Sequence, residues 1–343
     1  MLKLNKTLNK TLSKNRARAV VSPGDTQMHR TKILAPSKIE VLESMVLEGD
    51  VCEVIPRLPD ACVQCVVTSP PYYGLRDYGI HGQIGLEPTL AGYVHKLTCI
   101  FAEVRRILAP KGILWLNIGD GYTSGNRGWR APDKKNPNRA MSVRPDNPPG
   151  LKDKDLLGVP WRLAFALQRD GWFLRSDIVW HKPNAMPESV KDRPTRAHEY
   201  LFMFTKEEKY SYHAENIMEE AEDGGTRNCR TVWSINTSPA NGNHIASFPE
   251  ELVEPCILAA TKPGDFVLDP FFGCGTVGLV CQRLNRPFVG VELNPHDVDQ
   301  AMELLGSQPP GGNRPGRRLR YRVKKDANQP AFLEAASKRR VVS

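Results

Sequence analysis

The sequence predicts an α/β fold, a doubly wound and mostly parallel sheet with polar insertions. Three observations predict it. Short β-rich runs alternate with a stretch of helical spacing between residues 44 and 120. The alternation returns from residue 160 to residue 306. Between and within these blocks the pattern lapses into polar chain that a sheet core does not accommodate.

The elements follow in order. SMVLEGD (44–50) and CVQCVVT (62–68) are strands by composition and length. From Pro88 to Leu108, the residues Leu90, Tyr93, Val94, Leu97, Ile100, Phe101, Val104, Ile107 and Leu108 recur at helical spacing, and Ala109-Pro110-Lys111-Gly112 stops that helix. ILWLNIG (113–119) is an apolar strand, which completes a strand–helix–strand unit of a parallel sheet. Residues 121–157 then lose all pattern and carry eight basic against four acidic residues. A structureless stretch of that length is a functional loop or disorder. Regular structure resumes with a proline-initiated helix, PWRLAFALQRDG (160–171), and the strands WFLRSDIVW (172–180) and EYLFMFTK (199–206). A second polar gap spans about 207–230. The chain closes with a helix in FPEELVEPCILAATKPG (248–264), a strand FVLD (266–269), a Gly-rich turn, a helix beginning near Thr276, a strand FVGVEL (288–293) and a final helix.

Composition bounds the partners. The 343 residues are 40% hydrophobic, enough for a sizeable core, and carry a formal net charge of +9. That charge sits at the ends: residues 1–40 hold a balance of +7 and residues 307–343 one of +8, which leaves 41–306 at about −6. LNKTLNKTLSKNRAR and PPGGNRPGRRLRYRVKKD bury too little apolar surface to offset ordering entropy, so both tails are expected to be disordered. They serve either as phosphate-binding arms or as solubilising tails. No run of 18 apolar residues occurs and no signal-peptide segment opens the chain, so no membrane partner and a cytoplasmic location are expected. Of the eight cysteines, Cys62 and Cys65 form a lone CxxC without a second pair; no metal site is expected, and the thiols are expected to be reduced and in the core.

Two stretches carry chemistry. In FVLDPFFGCGTVGLVCQRL a buried strand ends at Asp269, and Gly273 and Gly275 turn the backbone into the helix at Thr276. Such a turn lets a ligand approach the main chain closely. The next strand ends in Glu292, seventeen residues beyond Gly275, where an acid can accept both hydroxyls of a ribose. The third glycine of a dinucleotide fingerprint and a diphosphate-binding lysine are missing, so an adenosine cofactor without a diphosphate fits best. In VVTSPPYYG (66–74) a second strand ends in Ser69, Pro70, Pro71 and Tyr72 at the carboxyl edge of the sheet. The proline pair fixes φ and leaves a rigid row of acceptors, the Ser69 hydroxyl and the Pro70 carbonyl, beside the flat ring of Tyr72. Acceptors next to a stacking platform suit a planar ring bearing an amino group, such as a nucleobase. A tight turn with a packed tyrosine is the competing reading.

These residues resemble a family. TSPPY (68–72) is similar to the catalytic motif of the DNA amino-methyltransferases, and DPFFGCGT (269–276) to their S-adenosylmethionine motif. The catalytic motif comes first, which resembles the β class, the circularly permuted arrangement of many restriction-modification and phage enzymes. The resemblance covers roughly 44–306. It implies a Rossmann-like methyltransferase domain over 41–306, between tails at 1–40 and 307–343. Within it lie a catalytic half (44–206), the insert 121–157, a target-recognition region at about 207–240 and a cofactor half (244–306). It further implies that Asp50 lies near the cofactor adenine, that His244 and Phe248 flank the methionine part, and that Thr68, Asp269, Phe271, Gly273, Gly275, Thr276 and Glu292 complete the cofactor site. The implied partners are double-stranded DNA, whose target base is flipped out, and a cognate restriction endonuclease.

The implied mechanism is direct. Ser69 and the Pro70 carbonyl accept hydrogen bonds from the target amine, Tyr72 stacks on the base, and the amine attacks the sulfonium methyl group without a covalent enzyme intermediate. Cys256, which follows Pro255, sits mid-helix among apolar residues and reads as structural rather than as a catalytic thiol. His81, His95 and His181 stand singly and read as structural, and RPTRAHEY (193–200) reads as an exposed polar loop or a phosphate contact. The resemblance also bears on the target base. Family members that act on N6 of adenine mostly carry an acid where Ser69 stands, and a serine is more often found in N4-cytosine enzymes. This implies N4 of cytosine as the acceptor. N6 of adenine, another amine on RNA or on a protein glutamine, and a DNA-binding module without turnover are the alternatives.

Overall fold

The computed structural model describes residues 29–32, 38–123, 145–237 and 248–307. Eleven strands and six α-helices order along the described chain as β1 (His29–Lys32), β2 (Met45–Glu48), α1 (Val51–Val54), β3 (Val63–Thr68), α2 (Leu90–Ile107), β4 (Leu108–Ile118), α3 (Val159–Arg169), β5 (Phe173–His181), β6 (His198–Thr205), β7 (Glu219–Glu220), β8 (Thr226–Arg227), β9 (Val232–Ser234), α4 (Glu250–Ala260), β10 (Val267–Asp269), α5 (Thr276–Arg283), β11 (Phe288–Glu292) and α6 (Pro295–Gly306). Nine strands make one sheet in the order β1-β2-β11-β10-β3-β4-β6-β5-β9. All neighbours pair in parallel except β6, which runs antiparallel to both β4 and β5. The doubly wound, mostly parallel sheet is the predicted fold.

Period-2 alternation splits the strand residues between two faces. Val66, Leu114, Leu116, Phe202 and Leu268 face a core shared with α2 and α3. Cys65, Val67, Ile113, Trp115, Met203 and Val267 face a second core closed by α4, α5 and α6. Both faces are therefore covered, and the central strands carry almost no exposed position. The near-continuous apolar runs of β3 and β4 follow from that burial.

The topology gathers one edge. Strands β2, β3, β4, β5, β10 and β11 are parallel, so their carboxyl ends emerge together. Because β6 is antiparallel, its beginning arrives at the same edge, with Trp180 of β5 registered against Glu199 and Ile118 of β4 against Tyr200.

Several expectations need correction. His29–Lys32 belongs to the region read as a disordered arm, yet it forms β1 beside β2. Four residues paired on one side of a large sheet need no apolar face of their own, which is why composition misses them. Strand β4 begins at Leu108, directly after α2, and the four-residue stop is absorbed as a register shift: Val63 pairs Leu108 while Cys65 pairs Ile113. The polar gap holds a small β7–β8 hairpin, and β9 follows it. The described ends of the 121–157 insert are tied at a bridge between Tyr122 and Leu156; residues 124–144 lie outside the described residues. The cysteines are less uniformly buried than expected: Cys65, Cys256 and Cys281 are core residues, whereas Cys52 and Cys99 are exposed. Among the described residues no helix is long and apolar enough to cross a membrane.

Candidate active site

Strands β3 and β10 are neighbours in the sheet, and their last residues are bonded to each other. The Thr68 hydroxyl donates to Asp269 Oδ1 at 2.7 Å, and the Phe271 amide donates to the same oxygen at 3.0 Å. This buried link holds together two turns that stand some 200 residues apart in sequence. Burial pushes the Asp269 carboxyl up to about 7; the Thr68 and Phe271 hydrogen bonds oppose the shift, and the charge of Glu292 adds to it.

Beyond the link, both turns open onto one cavity of about 1030 Å³. The Ser69, Pro70, Pro71 and Tyr72 turn lines it, as do Phe271, Gly273 and Glu292, with Asp50 and Phe248. Glu292 is tied into its strand end: Oε2 accepts from the Gly273 amide at 2.7 Å and Oε1 from the Asn294 amide at 2.8 Å. Burial raises its carboxyl. Asp50 caps α1, its side chain accepting from the Cys52 amide at 2.8 Å.

The two turn glycines differ. Gly273 has φ +52, and a Cβ added there meets nothing within 4 Å, so its surface is free on the cavity side. Gly275 has φ +90, and an added Cβ would stand 3.2 Å from the Ala301 Cβ and 3.3 Å from the Phe272 ring. Close approach of α6 explains that glycine. Gly275, Thr276, Thr68 and Asp269 stand outside the cavity lining. His244 lies outside the described residues.

The proline-rich turn is braced from several sides. The Pro71 carbonyl accepts from the Tyr93 hydroxyl of α2 at 2.8 Å. The Tyr72 ring lies against the Gly119 backbone, where an added Cβ would come within 2.6 Å of it. Its hydroxyl stands 3.3 Å from Ser69 Oγ, 3.2 Å from Asn117 Oδ1 and 2.8 Å from Glu199 Oε2. Burial and the Glu199 charge hold the phenol well above its ordinary range, so it stays protonated. Asn117 Nδ2 donates to Glu199 Oε2 at 3.2 Å and to the Tyr200 carbonyl at 3.1 Å. The Lys182 ammonium bonds Glu199 Oε1 and sits 4.1 Å from the centroid of the Trp180 ring.

Asn117, Lys182 and Glu199 are cavity residues that sequence reasoning passed over. A single polar residue inside the apolar run ILWLNI was a usable signal for Asn117, which is 3% exposed. Glu199 belongs to RPTRAHEY, read above as an exposed loop or phosphate contact; it lines the cavity, with its carboxylate bonded by Tyr72, Asn117 and Lys182. Nothing local marks it, because only the antiparallel pairing of β6 brings it there. Cys256 is fully buried; its thiol donates to the Leu252 carbonyl, and burial pushes it well above the ordinary range. That excludes it as a cavity nucleophile.

A family model described as DNA methylase matches residues 63–303. The Type II methyltransferase M.XycI of Xanthomonas campestris pv. cyanopsidis is 65% identical over 277 residues, which cover 81% of this chain and 92% of that protein. Among solved structures, the PvuII DNA methyltransferase (cytosine-N4-specific) aligns with a TM-score of 0.57 at 22% identity, over 76% of this chain and 86% of that one, a likeness of fold. The structure of a DNA modification methylase from Thermus thermophilus, complexed with S-adenosyl-L-methionine, aligns at 0.54 and 25% identity, over 78% of this chain and 95% of that one.

Proposed function

The chain belongs to the DNA methylase family, and from that membership we propose that it methylates the exocyclic N4 amine of cytosine in double-stranded DNA. It is a DNA methyltransferase of the Type II, N4/N6 kind, and its methyl donor is S-adenosylmethionine. The choice of cytosine is the finer reading. One observation carries it: a serine hydroxyl, Ser69, stands on the cavity that the Gly273 turn and Glu292 also line.

The residues present fit the donor. Gly273 offers a bare backbone surface at a strand-to-helix turn, and Glu292 offers a carboxylate whose oxygens each keep a lone pair beyond the amide they accept. We assign Glu292 to the ribose hydroxyls, Asp50 to the adenine side, Phe271 and Phe248 to apolar contacts and Gly273 to close backbone approach. Thr68 and Asp269 act from behind, as the tie between the two turns. S-adenosylmethionine supplies an activated methyl group on a sulfonium. In the same cavity, Ser69 and the Pro70 carbonyl accept hydrogen bonds from the flipped base's amine, which localises its lone pair for attack. Tyr72 supplies the ring beside them. Catalysis is positioning plus electrostatics. Readout of sequence is assigned to the described part of 207–240 together with the 121–157 insert.

The test is direct: unmethylated DNA of mixed sequence is treated with protein and labelled cofactor, digested to nucleosides and separated by mass spectrometry. Label in N4-methylcytosine is expected. Label in N6-methyladenine would refute cytosine and leave the amine mechanism standing. Label in 5-methylcytosine would overturn both.

A further inference from the structure

The Ser-Pro-Pro-Tyr turn ends in a hydrogen-bond chain that has a direction. An ionised carboxylate only accepts. Tyr72, 2.8 Å from Glu199 Oε2, therefore gives its one proton to Glu199. Its oxygen is then an acceptor, and the Ser69 hydroxyl, 3.3 Å away, donates to it. Ser69 is left with lone pairs for the cavity and no proton to offer there. Asn117 does not break this order: its amide oxygen lies farther from Tyr72, at 3.2 Å, and its Nδ2 supports the same Glu199 oxygen. Lys182 bonds the other carboxylate oxygen, so Glu199 is held from both ends.

We propose that Glu199 is a positioning residue which makes Ser69 an acceptor toward the target amine and, through Tyr72 and Ser69, takes up the proton that the amine sheds. The inference rests on the amine-methylation reading above. When the amine's lone pair forms the nitrogen–carbon bond, the carbon–sulfur pair stays with sulfur and the nitrogen carries a positive charge with one proton in excess. That proton passes to Ser69 Oγ, the serine proton passes to the Tyr72 oxygen, and the tyrosine proton passes to Glu199 Oε2. Each oxygen in between loses one proton and gains one. Glu199 ends as a neutral acid and returns its proton to water at the cavity mouth. No oxidant or reductant takes part.

The chain accounts for a turn that bears a hydroxyl where a carboxylate would accept more strongly. The negative charge is present but sits two hydrogen bonds away, where Asn117 and Lys182 support it. A carboxylate at position 69 itself would stand against Glu199 across Tyr72 and repel it.

The experiment compares Glu199→Gln, Tyr72→Phe and the double variant, using unmethylated plasmid DNA and labelled cofactor. Each single change is expected to lower kcat about 100-fold, with KM for DNA and calorimetric affinity for S-adenosylmethionine unchanged. The double variant is expected to be no slower than either single one, because both cut the same chain. Tyr72→Phe keeps the ring, so it isolates the hydroxyl even where Glu199→Gln lowers stability. A readout free of turnover comes from protein labelled with [ζ-13C]tyrosine: the Tyr72 signal is expected to move in Glu199→Gln without DNA or cofactor. Losses that multiply in the double variant, a loss confined to KM, or a stationary Tyr72 signal would overturn the chain. Wild-type protein that methylates while the variants match it overturns the chain alone. Wild-type protein that forms no methylated nucleoside overturns the reading on which it rests.

Discussion

Replacing Asp269 with asparagine separates a structural acid from a cofactor ligand. Asp269 is 2% exposed and holds a pKa of about 7 against a reference of 3.8. The folded value is raised, so the folded state binds the proton more tightly than the unfolded chain. Folding is therefore favoured most below the unfolded pKa, and that advantage is lost as pH rises toward the folded one. Three pH units correspond to about 4 kcal/mol, of which about 3 kcal/mol falls between about pH 5 and about pH 8. Asparagine keeps an oxygen for Thr68 and the Phe271 amide and never ionises. Urea unfolding of both proteins across that range is expected to show the variant gaining on wild type by about 3 kcal/mol as pH rises. Other titrating groups, Glu292 among them, appear in both proteins and cancel to first order. Calorimetry on the folded variant is expected to find unchanged affinity for S-adenosylmethionine. Parallel pH profiles would refute the burial argument. Lost affinity in a stable variant would restore Asp269 to the cofactor site.

Other expectations follow from the same geometry. Gly275→Ala is expected to destabilise by roughly 1–3 kcal/mol in thermal unfolding, from a strained positive φ and contact with Ala301. Gly273→Ala is expected to cost about 1 kcal/mol of stability and to weaken cofactor binding, since its new methyl points into open space at the cavity; equal cofactor affinity in the two variants would contradict the different roles given them. Ser69→Ala is expected to lower kcat about 100-fold while leaving cofactor affinity intact, measured by single-turnover methylation and calorimetry. Deleting 307–343, which carries ten basic residues against two acidic ones, is expected to weaken DNA binding at all sequences alike and to flatten its salt dependence by about 0.9 per lost phosphate contact. An unchanged slope in a salt titration would make the tail a solubility device.

How much of this was legible in the sequence depends on where each signal lies. Helix α2 was readable because one face repeats over 18 residues and nothing in the tertiary structure opposes it. Strands β3 and β10 were readable because each is a short apolar run cut by a turn with unusual backbone demands. Strand β1 was not, since its partner β2 supplies the pairing that its own residues do not announce. Ser69, Tyr72, Gly273 and Glu292 stand out in the sequence because they interrupt a pattern, and all four line the cavity. Asp269 and Gly275 interrupt the pattern in the same way, and the fold adds what the sequence does not announce: a bond from Thr68 to Asp269 and close approach of Ala301 to Gly275.

Glu199 marks the boundary of that method. It opens an apolar strand, next to a histidine and after a polar loop, where charge is ordinary. Its meaning comes from three pairings. Strand β6 runs against its neighbours, so its first residues meet the carboxyl ends of β4 and β5. Asn117 reaches it from β4, and Lys182 from the residue after β5. A carboxylate assembled this way is available to the Ser-Pro-Pro-Tyr turn only when the sheet is complete. The turn is a local motif, but the acceptor strength of its serine is a property of the fold.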